Sequence, residues 1–406
     1  MKEINIAIVG CGSRGVGNTL TVMMADKGVN IVAVCDPRHD KMDKAVEEIV
    51  KKGRKEPLKV ENYKDVLKLE EVNTVLVFTS WETHVQIAIE AMKAGKAVGM
   101  EVGGAANLEE CYELVETWEK TKVPFMMLEN CCFGKGELLA LNLARIGKLG
   151  EIVYCHGAYG HDLRELMVEG EKDGHYRLSH YRDRNCENYP THELGPIAKL
   201  LDINRGNRMV KLVSLASKSS GLKKYIADRK DQVEPKELVD TEFKQGDVFD
   251  TLISCENGET ISIRLDTTLP RFYSREFTVR GTVGMYEANT NTLFFDGEEE
   301  VFETEKYLAT ALNNADRFYF KYLPEYWQNI TAEEIQQGHG GMDVFCFRTF
   351  FLCLKNDLPM PIDVYDAAAW MSITPLTAKS IETGNFVEIP DFTKGAYKTR
   401  KRCDIR

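Results

Sequence analysis

Ile4-Asn5-Ile6-Ala7-Ile8-Val9-Gly10-Cys11-Gly12-Ser13-Arg14-Gly15 carries the strongest structural signal in the chain. A short apolar, β-rich run leads directly into a G-x-G-x-x-G turn, and the segment 13–27 that follows has helical spacing. In that setting each glycine has a task. Gly10 permits the tight turn, Gly12 lets the backbone approach a pyrophosphate, and Gly15 lets the helix pack closely on the strand. Ser13 and Arg14 open the helix, whose free N–H groups and dipole favour an anion. Asp36 closes the second strand 21 residues after Gly15, where a carboxylate accepts hydrogen bonds from an adenosine ribose; NAD is thereby preferred over NADP. Arg38 is a guanidinium able to hold a 2′-phosphate, but Asp36 would repel that group.

Outward from this turn, apolar runs at 4–9, 31–35, 74–78, 97–101 and 124–128 alternate with helical patterns at 13–27, 41–51, 83–94 and 107–121. Asn107 and Glu110 have the spacing of an N-terminal cap and its partner. This alternation predicts an α/β fold, a doubly wound parallel Rossmann sheet, over residues 1–130. Thr79-Ser80-Trp81-Glu82-Thr83-His84 follows one strand and Glu101 ends the next, both at the carboxyl edge where such sheets bind ligands. Trp81, His84 and Glu101 are therefore candidate cofactor residues, although His84 would serve equally as a plain helix-start residue.

Beyond residue 130 the rhythm changes. Runs at 151–159, 210–216, 248–255, 260–266, 276–281 and 292–295 alternate or pair like hairpins, and Asn257-Gly258 is a strong turn between two of them. They predict an α+β domain with an open, mainly antiparallel sheet over 131–406. The polar stretch 160–190, dense in His, Tyr and Arg, reads as a functional loop.

A chain of 406 residues with 43% hydrophobic and 28% charged residues is long enough for two ordinary globular cores. Its net charge of −11 argues against a nucleic-acid partner. The basic cluster Lys398, Arg400, Lys401, Arg402 and Arg406 reads as a solvated tail. A strand at the very start and the lack of a long apolar run predict neither a leader nor a membrane partner. Eleven cysteines without a C-x-x-C pair suggest cytoplasmic thiols and no metal, with Cys131-Cys132 as packing residues. The composition is compatible with a homo-oligomer.

Polar, aromatic and titratable words then recur: Met127-Leu128-Glu129-Asn130-Cys131, the Tyr-x-His-Asp-Leu-Arg segment from Tyr159, Tyr189-Pro190-Thr191-His192, Asp202 through Arg208, Gly338-His339-Gly340-Gly341-Met342-Asp343 and Ile389 through Thr393. On these words the chain resembles the Gfo/Idh/MocA oxidoreductase superfamily and, within it, the NAD-dependent α-N-acetylgalactosaminidases of glycoside hydrolase family 109. The resemblance covers nearly the whole chain. Ordinary sugar dehydrogenases of the superfamily carry Glu-Lys-Pro where this chain has Glu101-Val102-Gly103, so the lysine that assists alcohol oxidation is absent. The family usually has Gly where this chain has Glu193.

The resemblance implies a small carbohydrate or glycoconjugate substrate, NAD as cofactor, and a redox route to hydrolysis. Hydride leaves C3, the C2 proton becomes acidic, the glycosidic oxygen is eliminated from C1, water adds, and hydride returns. Tyr159 matches the family's base for C2; a free phenol has a pKa of about 10, so it needs a neighbouring cation, for which Arg164 and Arg177 are the candidates. His192, flanked by Tyr189, is the candidate for the C3 hydroxyl proton. Glu129, Arg177, Tyr189 and Tyr273 match positions that line the sugar pocket. Tyr159, Tyr189 and His192 would each also serve as ordinary capping or turn residues. The Asp202–Arg208 word reads as a structural turn, and His339 as either a pocket residue or part of a tight bend. An NAD-dependent sugar dehydrogenase or epimerase and a non-catalytic NAD or sugar sensor are the alternatives to a glycosidase.

Overall fold

A computed structural model describes residues 3–170, 174–298 and 313–404. The chain divides into two compact units: Met1–Gly134 with Pro324–Ala369 and Arg402–Arg406, and Lys135–Leu323 with Trp370–Lys401.

The first unit is built on six parallel strands: β1 (Ile4–Val9), β2 (Val29–Cys35), β3 (Leu58–Val60), β4 (Thr74–Val77), β5 (Ala97–Met100) and β6 (Phe125–Met127). Their order, β3-β2-β1-β4-β5-β6, is that of a doubly wound Rossmann sheet, with the strand order reversing between β1 and β4. Connecting helices are α1 (Ser13–Ala25), α2 (His39–Lys51), α3 (His84–Lys93) and α4 (Leu108–Thr121). Helix α1 stops two residues short of the periodic pattern because Asp26 is extended and its carboxylate accepts from the Gly28 N–H. At α4 the Asn107 side chain accepts from the Glu110 N–H at 2.9 Å, while Glu110 reaches back to the Ala106 N–H at 2.8 Å. Strand β3 carries no apolar run, since Leu58 and Lys59 are exposed on the sheet edge, and its sequence gives no sign of it.

The same unit takes in helix Met342–Asn356, which packs against α1. Phe347, Phe350 and Phe351 on that helix are almost fully buried. At about 1.5–3 kcal/mol for each large apolar side chain buried, they stabilise the docking by several kcal/mol. A C-terminal segment thereby completes an N-terminal fold.

The second unit holds eight strands in the order β13-β12-β11-β7-β10-β9-β8-β14. They are β7 (Ile152–Gly160), β8 (Met209–Ala216), β9 (Val248–Cys255), β10 (Thr260–Asp266), β11 (Thr278–Gly281), β12 (Gly284–Glu287), β13 (Thr292–Phe295) and β14 (Val387–Glu388). All pairings are antiparallel except β7 with β10. Alternate side chains of β9 and β10 are buried, so one face is covered and the other open. Helices Thr191–Leu200 and Ile373–Thr383 pack against β7 and β8. A Cβ at Gly157 would stand 2.8 Å from the Glu193 carbonyl oxygen, so the close approach of the first of these helices requires a glycine there.

Two expectations are corrected. The stretch 160–190 is not a plain loop: among its described residues it forms helices Arg164–Gly170 and Arg177–Asp183, which bury Met167, Val168, Leu178 and Tyr181 behind a polar exterior. Strand β11 starts at Thr278 and not at 276, because Glu276 adopts φ +49. The Asp202–Arg208 segment is the expected turn: Asp202, Asn204 and Gly206 have positive φ, and Arg145 binds Asp202 at 2.9 Å. Of the basic C-terminal residues, Lys398, Lys401 and Arg402 are exposed, Arg400 is half-buried, and Arg406 lies outside the described residues. All eleven cysteines are free thiols, ten of them buried. Among the described residues, no helix is long and apolar enough to cross a membrane.

Candidate active site

The site residues fall into two groups, one on each unit. On the first unit, Gly10 has φ +94, and a Cβ there would stand 2.7 Å from the Phe78 backbone. A Cβ on Gly15 would stand 1.9 Å from the Gly10 carbonyl oxygen. Both glycines are therefore fixed by close packing. Gly12 differs, since nothing lies within 4 Å of its would-be Cβ. Open space at the middle glycine, followed by the half-exposed start of α1, is the cradle a pyrophosphate requires. Asp36 accepts from the Cys11 N–H at 2.8 Å and the Arg38 N–H at 2.9 Å, which holds its carboxylate beside the turn. The Arg38 guanidinium turns instead to Asp40, 2.9 Å away.

Trp81 and His84 are buried, and His84 is the first residue of α3. Gly103 has φ +151, and a Cβ there would stand 2.4 Å from the Trp81 indole and 3.2 Å from His84. That glycine brings the Trp81–His84 turn against the run that follows β5. Glu101, at the end of β5, accepts from Arg14 Nε at 2.8 Å, and its other oxygen accepts from the Val102 N–H. Thr79 Oγ1 and Asn130 Nδ2, after β4 and β6, are buried with no hydrogen-bond partner among the described residues. They are polar groups that a dinucleotide along this edge would satisfy, so the residues present fit NAD. Asn130 lies in the Met127–Cys131 motif beside the candidate Glu129 and adds a polar group to this edge that spacing alone does not mark. Glu129 is fully buried on this unit and accepts from the Cys131 N–H at 2.9 Å.

On the second unit, Tyr159, at the end of β7, lies at the centre of an aromatic cluster. Its ring centroid is 4.7 Å from Tyr189 and 5.3 Å from His192, and its hydroxyl is 3.2 Å from His161 Nδ1. Tyr189 precedes helix Thr191–Leu200, and its hydroxyl is 3.3 Å from His192 Nε2. Arg177 opens a short helix and lies over the Tyr189 ring at 4.9 Å. Burial works against its charge, but the phenols of Tyr159, Tyr176 and Tyr189 and a hydrogen bond with Tyr159 hold it firmly protonated, well above the ordinary arginine range. Tyr273, 45% exposed, is at the rim, with His161 5.1 Å from its ring.

The two candidate arginines sit differently: Arg164 pairs with Asp162 at 2.7 Å, whereas Arg177 faces the phenols of Tyr159 and Tyr189. His161 is a member of the cluster that the sequence reading did not single out. It stands two residues after Tyr159, the spacing that returns a side chain to the same face of a strand, and this is the signal that would have found it. Below the cluster, Glu187 is fully buried, its Oε1 accepting from the Tyr189 N–H at 3.1 Å and its Oε2 having no partner among the described residues. Burial pushes its carboxyl up to about 8, against the lowering effect of that hydrogen bond.

Comparison with known proteins agrees with both halves. Residues 4–129 match the model of the oxidoreductase family with an NAD-binding Rossmann fold, and residues 133–399 match the glycosyl hydrolase 109 C-terminal domain. A glycosyl hydrolase family 109 protein of Stenotrophomonas maltophilia is 34% identical, over 98% of this chain and 91% of that protein. A protein of Shewanella oneidensis named alpha-N-acetylgalactosaminidase is also 34% identical, over 100% of this chain and 88% of its own length. Among solved structures, a levoglucosan dehydrogenase in complex with NADH and levoglucosan shares the fold, with a TM-score of 0.70 at 16% identity, over 96% of this chain and 100% of that one. With an NAD-binding Rossmann sheet followed by a matching C-terminal domain over nearly its whole length, the chain belongs to glycosyl hydrolase family 109.

Proposed function

We propose that this enzyme removes an N-acetylhexosamine, most simply an α-linked N-acetylgalactosamine, from a glycoconjugate by a redox route. When bound, NAD supplies the oxidant and later the reductant: hydride leaves C3 of the sugar and returns to C3 at the end of the cycle. Tyr159 takes the C2 proton while the C1–O bond to the leaving group breaks. Arg177, hydrogen-bonded to Tyr159, supplies the cation that a phenolate base needs. His192 accepts the C3 hydroxyl proton as the carbonyl forms and returns it on reduction, with Tyr189 orienting its ring through the 3.3 Å contact. Arg177, Tyr189 and Tyr273 hold the sugar on the second unit, and Glu129 is the sugar-binding candidate carried by the first. Water then gives its oxygen to C1, and the two available protons, one held by Tyr159 and one from that water, go to C2 and to the departing aglycone oxygen; with hydride back on C3, sugar and free aglycone are the net products.

The observation that carries this reading is a phenol and an imidazole in one cluster, each held by its own partners. Tyr159 is tied to Arg177 and His161, while His192 is tied to Tyr189. A hydrolysis that leaves C2 and C3 untouched has no use for that arrangement. The name of the Shewanella oneidensis relative supports the choice of sugar.

Nitrophenyl α-N-acetylgalactosaminide, incubated with the enzyme in heavy water with and without added NAD, tests it. Nitrophenol release that depends on NAD, deuterium at C2 of the product and no accumulating NADH are expected. One NADH per turnover would make the protein a sugar dehydrogenase, and product without deuterium, together with no isotope effect from a C2-deuterated substrate, would remove the elimination step.

A further inference from the structure

Gly338-His339-Gly340-Gly341-Met342-Asp343 has no part in the chemistry above, yet within the first unit it returns to the nucleotide-binding turn. Three successive residues, His339, Gly340 and Gly341, have φ of +53, +68 and +94 and reverse the chain just before helix Met342–Asn356. The reversal leads into Asp343, which is 1% exposed. Its carboxylate meets Arg14 as a fork: Arg14 Nη1 donates to Oδ2 at 2.6 Å and Nη2 to Oδ1 at 3.0 Å. His339 Nδ1 lies 3.0 Å from Oδ2, and beside a carboxylate that nitrogen acts as a donor. Gly338 is shaped to the same group, since a Cβ there would stand 1.9 Å from Oδ2.

Arg14 is bound on its other side by Glu101 at 2.8 Å. One guanidinium therefore joins the turn after β1, the end of β5 and the start of a helix more than 300 residues away in sequence. Its side chain is still 30% exposed, so it is not a buried core pair but part of a surface. With two carboxylates around it, the charge of Arg14 is more than neutralised. It does not act as a free anion grip; that task stays with the backbone N–H groups of the turn.

We propose that Asp343 is a positioning residue of the cofactor site, acting through Arg14 to hold the β1 turn and the end of β5 in the arrangement that binds NAD. The inference rests on NAD binding at the glycine turn. A long, rotamer-rich side chain is ordered before the ligand arrives, so its ordering does not weaken binding.

A double-mutant cycle read by NAD affinity tests it. Full-length protein freed of cofactor is titrated with NAD by calorimetry and by quenching of tryptophan fluorescence, for wild type, Asp343→Asn, Arg14→Gln and the double variant, with melting curves of each without ligand. Asp343→Asn is expected to weaken NAD at least tenfold in the wild-type background and less than twofold when Arg14 is already Gln. Equal losses in both backgrounds, or unchanged affinity in the single variant, overturn the proposal. If wild type itself shows no NAD binding, the underlying assignment of the turn fails and not the role of Asp343 alone. Should Asp343→Asn not fold, Gly338→Ala displaces the same carboxylate without changing charge. Weaker NAD binding by that variant supports the role, and unchanged binding refutes it.

Discussion

The glycine turn of the first unit and the aromatic cluster of the second are built on opposite terms. The turn is six consecutive residues whose work is done by backbone N–H groups, with side chains absent where a phosphate must approach. The cluster gathers Tyr159, His161, Arg177, Tyr189, His192 and Tyr273 from strand ends, helix starts and a rim loop. A site made of backbone is sensitive to added atoms, and a site made of side chains to lost ones. The two should therefore fail under different substitutions and leave the other half intact.

Tyr159→Phe should have the largest effect, about 10²–10⁴-fold on kcat, because it removes the hydroxyl proposed as general base while keeping the ring that packs on Tyr189. NAD affinity, measured separately, should not change. Gly15→Ala tests the converse: its Cβ would stand 1.9 Å from the Gly10 carbonyl oxygen, and overpacking of this kind costs about 1–3 kcal/mol. Its melting temperature and NAD affinity should both fall, whereas the second unit's aromatic cluster should keep its near-UV circular dichroism. Asp36→Ala loses the carboxylate that accepts from the Cys11 N–H and should weaken NAD roughly tenfold, as loss of a charged hydrogen bond does, while narrowing the preference over NADP.

The smallest effects separate the two units by pH. Asp343 is buried, which opposes its ionisation, but the charge of Arg14 and the bonds from His339 and Arg14 hold its carboxyl well below the usual range. Its contribution to stability is present above the unfolded value and lost as pH falls through the folded one. Glu187 has the opposite sign. Raised to about 8, it contributes most below the unfolded carboxylate range and loses that contribution as pH rises through 8. Glu187→Gln should therefore lose less melting temperature than wild type between pH 6 and pH 9. A variant that tracks wild type at both pH values would show that the buried carboxyl is not protonated in the folded enzyme.

Legibility followed the same division. Strand–helix alternation and the run from Ile4 to Gly15 gave the Rossmann order, because a parallel sheet buried on both faces leaves continuous apolar runs. Edge strands such as β3 and the two-residue β14 left none, being too short or too exposed to need apolar residues. The helices at Arg164–Gly170 and Arg177–Asp183 were hidden by charged exteriors over few buried side chains. Of the candidate site, Gly10, Gly12, Gly15 and Asp36 were readable from spacing, whereas Tyr159, Arg177, Tyr189 and His192 were visible only through resemblance to a family.

The dinucleotide turn is legible because its six residues are consecutive, and the second domain because the rhythm changes after residue 130, although its sheet pairs residues as distant as Tyr154 and Thr260. That Arg177 and not Arg164 lies against Tyr159, that His161 joins it, and that Asp343 reaches Arg14 emerge from the folded chain alone. Those choices rest on side-chain ion pairs and hydrogen bonds between residues distant in sequence. Such bonds are short and directional, so they depend on how helices and strands pack, and neither composition nor periodicity encodes that packing.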